Sequence, residues 1–172
     1  GILPLKADCR KIAVVGALID ENFRDWYTGY FRNEDSAVEG IRREFPESEI
    51  FADDLWDIVA IKNSQGKYLT VHEDGTLYAD GDFPDKSALF RFKKWGEKSC
   101  NLFSEKYGRY AAYKDATLKL SGDSIYSWFT AETLNFRNIS GNEYIIEDFL
   151  LHRRLTCNKN GNLTLERDVP IL

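Results

Sequence analysis

The sequence predicts a mainly β fold in which three copies of a four-strand unit follow a small α/β unit. Three observations carry the prediction. First, Gly66-Lys67-Tyr68-Leu69-Thr70-Val71-His72-Glu73-Asp74-Gly75-Thr76-Leu77 is echoed by Gly108-Arg109-Tyr110-Ala111-Ala112-Tyr113-Lys114-Asp115-Ala116-Thr117-Leu118 and by His152-Arg153-Arg154-Leu155-Thr156-Cys157-Asn158-Lys159-Asn160-Gly161-Asn162-Leu163, with starts 42 and 44 residues apart. A period of about 20–50 residues is the mark of a repeat architecture. Second, Val59-Ala60-Ile61-Lys62, Asn101-Leu102-Phe103-Ser104 and Ile145-Ile146-Glu147-Asp148 each begin seven positions before their copy. Third, a further element appears twice, as Ala88-Leu89-Phe90-Arg91-Phe92 and Glu132-Thr133-Leu134-Asn135-Phe136, 44 residues apart.

Three units of four short strands are the pattern of a β-trefoil. The G-[KR]-Y turn followed by a G-x-L step resembles the fascin-like branch of that fold, over residues 55–172. A propeller needs about four to eight blades, so three repeats fall short. A helical repeat is excluded by short alternating runs rich in Val, Ile, Tyr and Phe with turn residues between them. Leu77, Leu118 and Leu163 hold equivalent places and are assigned to the core with Phe92 and Phe136. The third copy of the Phe92/Phe136 strand falls near 178–181 in this register. Either Glu49-Ile50-Phe51 closes the barrel in its place, or the barrel is open and its edge recruits other chains.

Residues 1–54 lie outside the repeat. Lys11-Ile12-Ala13-Val14-Val15-Gly16 is an unbroken apolar run closed by glycine, as expected of a strand buried on both faces. Residues 20–35 show no period and read as a loop. Ser36 and Glu39 form a capping-box pattern, Ala37, Ile41 and Phe45 fall on one helix face, and Pro46 stops the helix. Glu49-Ile50-Phe51-Ala52 is a second strand. Strand, loop, helix and strand make one α/β unit, too small for a core of its own. A dinucleotide site is excluded here, because Gly16 stands alone where that fingerprint needs three glycines, and Asp20 and Glu21 would face the phosphates.

Four phrases in order suggest a family. Gly1-Ile2-Leu3-Pro4-Leu5, then Lys11 to Asp20, then Asp25-Trp26-Tyr27-Thr28-Gly29, then Ala37-Val38-Glu39-Gly40-Ile41 resemble the start of the C-terminal α/β-sandwich domain of glycoside hydrolase family 3. That family includes β-glucosidases and β-xylosidases. Ala17 and Ile19 depart from its usual Pro and Ala. Some bacterial members carry an insertion after this unit, and fascin-like repeats resemble one kind of insertion. The resemblance implies a piece of a larger enzyme, whose nucleophilic Asp lies in a preceding barrel domain and whose acid/base comes from a later loop. It therefore implies a chain with no glycosidase activity alone and no catalytic residue of its own. Its partners would be the parent protein's other domains and a β-linked glycoside.

Composition narrows the classes further. A formal charge of −5 weighs against nucleic acid, whose phosphates demand a basic face. No apolar run approaches the roughly 20 residues of a membrane span, and Gly1 to Lys6 lacks the pattern of a secretory signal. Cys9, Cys100 and Cys157 are far apart and odd in number, so they read as reduced thiols of a reducing, cytoplasmic compartment. No cofactor motif appears. His72 and His152 occupy non-equivalent repeat positions without metal-ligand spacing.

Asp25, Trp26 and Tyr27 are the substrate-binding candidates, because α/β sheets place ligands in the loop that leaves a buried strand. A ring beside a carboxylate suits a sugar's C–H face and hydroxyls; the same residues would equally pack the loop against a neighbouring domain. Arg24 beside them reads as solvated. Tyr68 and Tyr110 sit at matching repeat positions and are the carbohydrate-binding candidates of the trefoil, although Arg154 replaces the aromatic in the third copy. Trp95 and Trp128 read as packing residues, and Arg91, Lys93, Lys94 and Lys98 as a solvated basic face. The functional alternatives are a lectin-type carbohydrate-binding module and a fascin-like actin-binding protein. The open edge adds a possible homo-oligomer.

Overall fold

A computed structural model describes residues 4–22, 27, 29, 34–125 and 131–167. The chain divides into two compact units, Gly1–Trp56 and Asp57–Leu172. It is mainly β, with antiparallel sheets in the second unit.

In the first unit β1 (Lys11–Val15) pairs in parallel with β2 (Glu49–Asp53), in register from Lys11 opposite Glu49 to Val15 opposite Asp53. Parallel neighbours need a crossover, and α1 (Ala37–Glu44) lies in it. The capping box is formed: the Glu39 amide donates to Ser36 Oγ at 3.3 Å and the Ser36 amide to Glu39 Oε2 at 2.8 Å. Glu39 in the first turn and Arg42 and Arg43 in the last complement the helix dipole. The helix face that is covered runs through Val38, 1% exposed, and the half-buried Ile41 and Phe45, whereas Ala37 at the first helical position is exposed. Burial of β1 on both faces is not observed. Its residues alternate, with Ile12 and Val14 half-buried and Lys11, Ala13 and Val15 exposed. Two strands crossed by one short helix can cover only one face, so Val15 and Phe51 stay 53% and 60% exposed.

The second unit reads in strand quartets. The first is β3 (Asp57–Val59), β4 (Tyr68–Val71), β5 (Leu77–Gly81) and β6 (Phe90–Lys94). The next is β7 (Ser99–Ser104), β8 (Arg109–Lys114), β9 (Thr117–Leu120) and β10 (Leu134–Ser140). β11 (Glu143–Asp148), β12 (Arg154–Cys157) and β13 (Leu163–Glu166) follow. Within each set the second and third strands form a hairpin, β4 with β5, β8 with β9 and β12 with β13. The first and fourth strands run together in one antiparallel ladder, β3–β6–β7–β10–β11.

The three hairpins are joined head to tail by equivalent hydrogen bonds. Leu120 donates its amide to Gly75 O at 2.7 Å, Leu165 to Ala116 O at 2.9 Å and Ala79 to Gly161 O at 2.8 Å. Each donor lies two residues after Leu118, Leu163 or Leu77, and each acceptor two residues before one of them. The set closes on itself. All three acceptors have positive φ, +79° at Gly75, +63° at Ala116 and +81° at Gly161. The three leucines are 0%, 0% and 7% exposed and share one core with Leu69, Phe90, Leu102 and Leu134. Phe92 and Phe136 pack against that core, edge to face with centroids 5.1 Å apart.

The turns after the first strands repeat as well. Asn63 Oδ1 accepts from the amides of Gln65 and Lys67, Ser104 Oγ from that of Tyr107, and Asp148 from those of Leu151 and Arg153. Short polar side chains that accept from amides two to five residues ahead hold such turns in place of backbone partners. The strand Glu49-Ile50-Phe51 pairs with β1 in the first unit, and so it does not close the ladder of the second.

Candidate functional site

Among the described residues the ladder leaves a gap, and a cavity lies beside β11. β7 has a neighbour on each side, β6 and β10. Among the described residues β3 pairs with β6 alone, and Glu143–Ile146 of β11 pair with β10 alone. Beside β11, and lined also by the segment from Ala60 to Gln65 that follows β3, runs a groove of about 760 Å³. Its floor is apolar, formed by Ile61, Leu69, Ala79, Ile146, Leu155 and Leu163. Its rim is polar, with Lys62 and Asn63 after β3, Asn142 and Glu143 at the head of β11, and Arg154 and Thr156 on β12. Cys157 also lines it, half-buried, with the Asn63 amide 3.7 Å from its sulfur.

Of the residue candidates, Asp25 and Trp26 lie outside the described residues, as do Arg24 and Trp128. Tyr27 is 90% exposed. Tyr68 is half-buried, and the Lys62 ammonium stands 5.7 Å from its ring centroid. Tyr110 is corrected: it is 2% exposed, packed edge to face on Phe103 at 4.9 Å, and offers no ring face to a sugar. The equivalence of Tyr68 and Tyr110 in sequence does not extend to exposure.

Lys93 is a second correction. The sequence pattern puts it on a solvated basic face, yet it is 6% exposed. Its ammonium donates to Tyr110 Oη at 2.9 Å and lies 5.1 Å and 5.2 Å from the ring centroids of Phe103 and Tyr110. Ring quadrupoles and a hydroxyl acceptor replace water around the charge. Nothing in the run Arg91 to Lys94 distinguishes Lys93 from its neighbours, because the partners come from β7 and β8.

Two further polar clusters carry no sequence signature. On the β4–β5 hairpin Asp80 accepts from the Thr70 hydroxyl at 2.6 Å and stands 2.9 Å from His72 Nε2, while His72 stacks tilted on Tyr78 at 4.4 Å. This set staples the hairpin. At the end of β11, Asp148 is 0% exposed and accepts from Arg153 Nε at 2.9 Å. Burial pushes its carboxyl up, but the Leu151 and Arg153 amides and the Arg153 guanidinium outweigh burial and hold it below the usual carboxylate range. His152 takes the turn position held by Gly66 and Gly108, at φ +51°. The Cys100 thiol is fully buried, and burial pushes its pKa well up.

No family model and no curated protein matches the chain.

The chemistry of the groove follows from its lining alone. Glu143 is the only carboxylate among the described lining residues. No group of three or more metal-ligating side chains occurs among the described residues, and no described helix is long and apolar enough to cross a membrane.

Proposed function

We propose that the chain is a non-catalytic part of a family 3 glycoside hydrolase, in which a fascin-like β-trefoil shapes the approach to the active site or the assembly of the enzyme. The observation that carries the trefoil is the closed triplet of hydrogen bonds, Leu120 to Gly75, Leu165 to Ala116 and Ala79 to Gly161, lying around Leu77, Leu118 and Leu163. A cycle of three like contacts follows from threefold pseudosymmetry and from few other arrangements. The parallel β1–β2 pair with its capping-box helix suits the start of an α/β sandwich, and its exposed Val15 and Phe51 suit a sheet continued by other strands. The three cysteines are unpaired, as befits a reducing, cytoplasmic setting.

A lectin-type module is the weaker reading, since three equivalent sugar pockets would need an accessible ring where Tyr110 is buried. For a fascin-like actin-binding protein no observation speaks beyond the likeness of fold, and fold alone does not assign function.

Two experiments test the proposal. The chain alone should not hydrolyse aryl β-glucosides or β-xylosides; turnover above buffer that is abolished by replacing one of its carboxylates would overturn it. The coding sequence should specify, upstream of residue 1, a barrel domain with a nucleophilic Asp, and a different upstream domain would remove the family assignment. A glycan array that shows binding by the isolated chain would transfer support to the lectin reading.

A further inference from the structure

The turn of the last hairpin carries the single Asn-Gly step of the sequence, Asn160-Gly161. Position 160 stands three residues before Leu163, where the other copies place Asp74 before Leu77 and Asp115 before Leu118. Asn160 is exposed, and among the described residues its carboxamide has no hydrogen-bond partner. Asn158 anchors the turn instead. Its Oδ1 accepts from the amides of Asn160 at 2.9 Å and Asn162 at 3.1 Å, and its own amide donates to Asn162 O at 3.0 Å. The Gly161 amide donates to Asn158 O at 3.0 Å, and the Gly161 carbonyl accepts from the Ala79 amide at 2.8 Å. An asparagine followed by glycine is chemically labile, because glycine has no Cβ to shield its amide nitrogen from the preceding carboxamide. Here the carboxamide is free to react, and the nitrogen that would attack it is held.

We propose that Asn160 is a site of spontaneous deamidation which the folded hairpin restrains, and that its isoaspartyl product unlatches the last hairpin from the first. The Gly161 amide nitrogen attacks the side-chain carbonyl carbon of Asn160 and gives up its proton to solvent. The bond to the side-chain nitrogen breaks, and that nitrogen takes up a proton and leaves as ammonia, so that a cyclic succinimide remains. Water then opens the ring at either carbonyl, giving aspartate or, with the main chain routed through the side chain, isoaspartate. Aspartate is the residue that the other two copies already carry, so that product leaves the contact in place. Isoaspartate lengthens the main chain by one methylene directly before Gly161. The contact has no room for this, since even a Cβ on Gly161 would stand 3.0 Å from Ala79 O and Asp80 Cβ. Asp74 before Gly75 is the contrast: its carboxylate has no amine to expel and accepts from the Thr76 amide at 2.9 Å and hydroxyl at 3.0 Å. The inference rests on the hairpin contact alone and is independent of the glycosidase reading.

The test is to age the 172-residue chain in mildly alkaline buffer, folded and in urea, and to map its peptides by tandem mass spectrometry. In urea Asn160 should react ahead of every other asparagine, and folding should slow it at least tenfold. Asn158→Ala removes the Oδ1 acceptor of the turn and should speed the folded reaction roughly two- to tenfold, the factor that one modest hydrogen bond implies. Another asparagine reacting first in urea, or a rate at Asn160 that neither folding nor Asn158→Ala changes, would overturn the restrained site. The latch is read by hydrogen exchange in the separated isoaspartyl form. The Ala79 amide should exchange at least tenfold faster than in the unmodified chain, while the Leu120 amide, bonded to Gly75 O, keeps its protection. Asn160→Asp should leave both amides protected. A modified chain that does not refold, beside an Asn160→Asp chain that does, also supports the latch. An isoaspartyl form whose Ala79 amide exchanges as slowly as before would overturn it, as would loss of that protection in Asn160→Asp.

Discussion

Replacing Gly161 by alanine tests the contact that joins the last hairpin to the first. Gly161 has φ +81°, and its carbonyl accepts from the Ala79 amide at 2.8 Å. A Cβ there would stand 3.0 Å from both Ala79 O and Asp80 Cβ, and 3.1 Å from the Ala79 carbonyl carbon. The left-handed conformation costs an L-residue roughly 1–2 kcal/mol. Backing away from the Ala79 carbonyl weakens a buried hydrogen bond worth about 0.5–1.5 kcal/mol. Crowding of backbone atoms adds to this, since neither strand can yield as a flexible side chain would, and the total comes to about 2–4 kcal/mol. Gly66 is the comparison, because its φ is +84° and nothing lies within 4 Å of its hypothetical Cβ. Gly66→Ala should therefore cost only the conformational part, about 1–2 kcal/mol. Urea unfolding followed by far-ultraviolet circular dichroism measures both, and with a slope of about 1–3 kcal/mol per molar the midpoints should differ visibly. If Gly161→Ala lost no more than Gly66→Ala, position 161 would not be a point of close approach between repeats, and the closed triplet would lose its energetic meaning.

Leu118, 0% exposed in the shared core, should cost about 2–5 kcal/mol on replacement by alanine, and a loss below about 1 kcal/mol in urea would remove it from the core. Ala116 holds φ +63° where Gly75 and Gly161 stand in the other repeats, so Ala116→Gly relieves roughly 1–2 kcal/mol of left-handed strain less about 0.4–1 kcal/mol of added unfolded-chain freedom; a small net gain in stability is expected, and a loss would show that the turn is not left-handed. The Asp148 carboxyl is held below its usual range in the folded chain, so its stabilising contribution is present above the unfolded value of about 3.9 and disappears as pH falls through the folded one. Asp148→Asn should accordingly lower the urea midpoint at pH 7 and flatten its fall toward acid; an unchanged acid limb would mean that the Arg153 pair does not survive in solution.

What the sequence determined by itself is local and periodic. Hairpins recur because Gly66, Gly75, Gly108 and Gly161 admit positive φ at a fixed spacing, and Leu77, Leu118 and Leu163 are buried because alternation places them on one strand face in every copy. The capping box at Ser36 was legible because it needs only residues three apart. Exposure was decided by partners distant in the chain. Tyr110 and Lys93 bury one another although 17 residues separate them, and no spacing rule connects a strand residue with a hydroxyl on another hairpin. Val15 and Phe51 are exposed because two strands and one helix make no second layer, which an apolar run cannot announce. The groove is the furthest from sequence. Among the described residues only the ladder β3–β6–β7–β10–β11 shows which strands, β3 and most of β11, are left with one neighbour and where the gap beside them falls. The cavity lined by Ile61, Ile146 and Leu155 gives it a volume, because hydrogen bonds between strands are made in space and not along the chain.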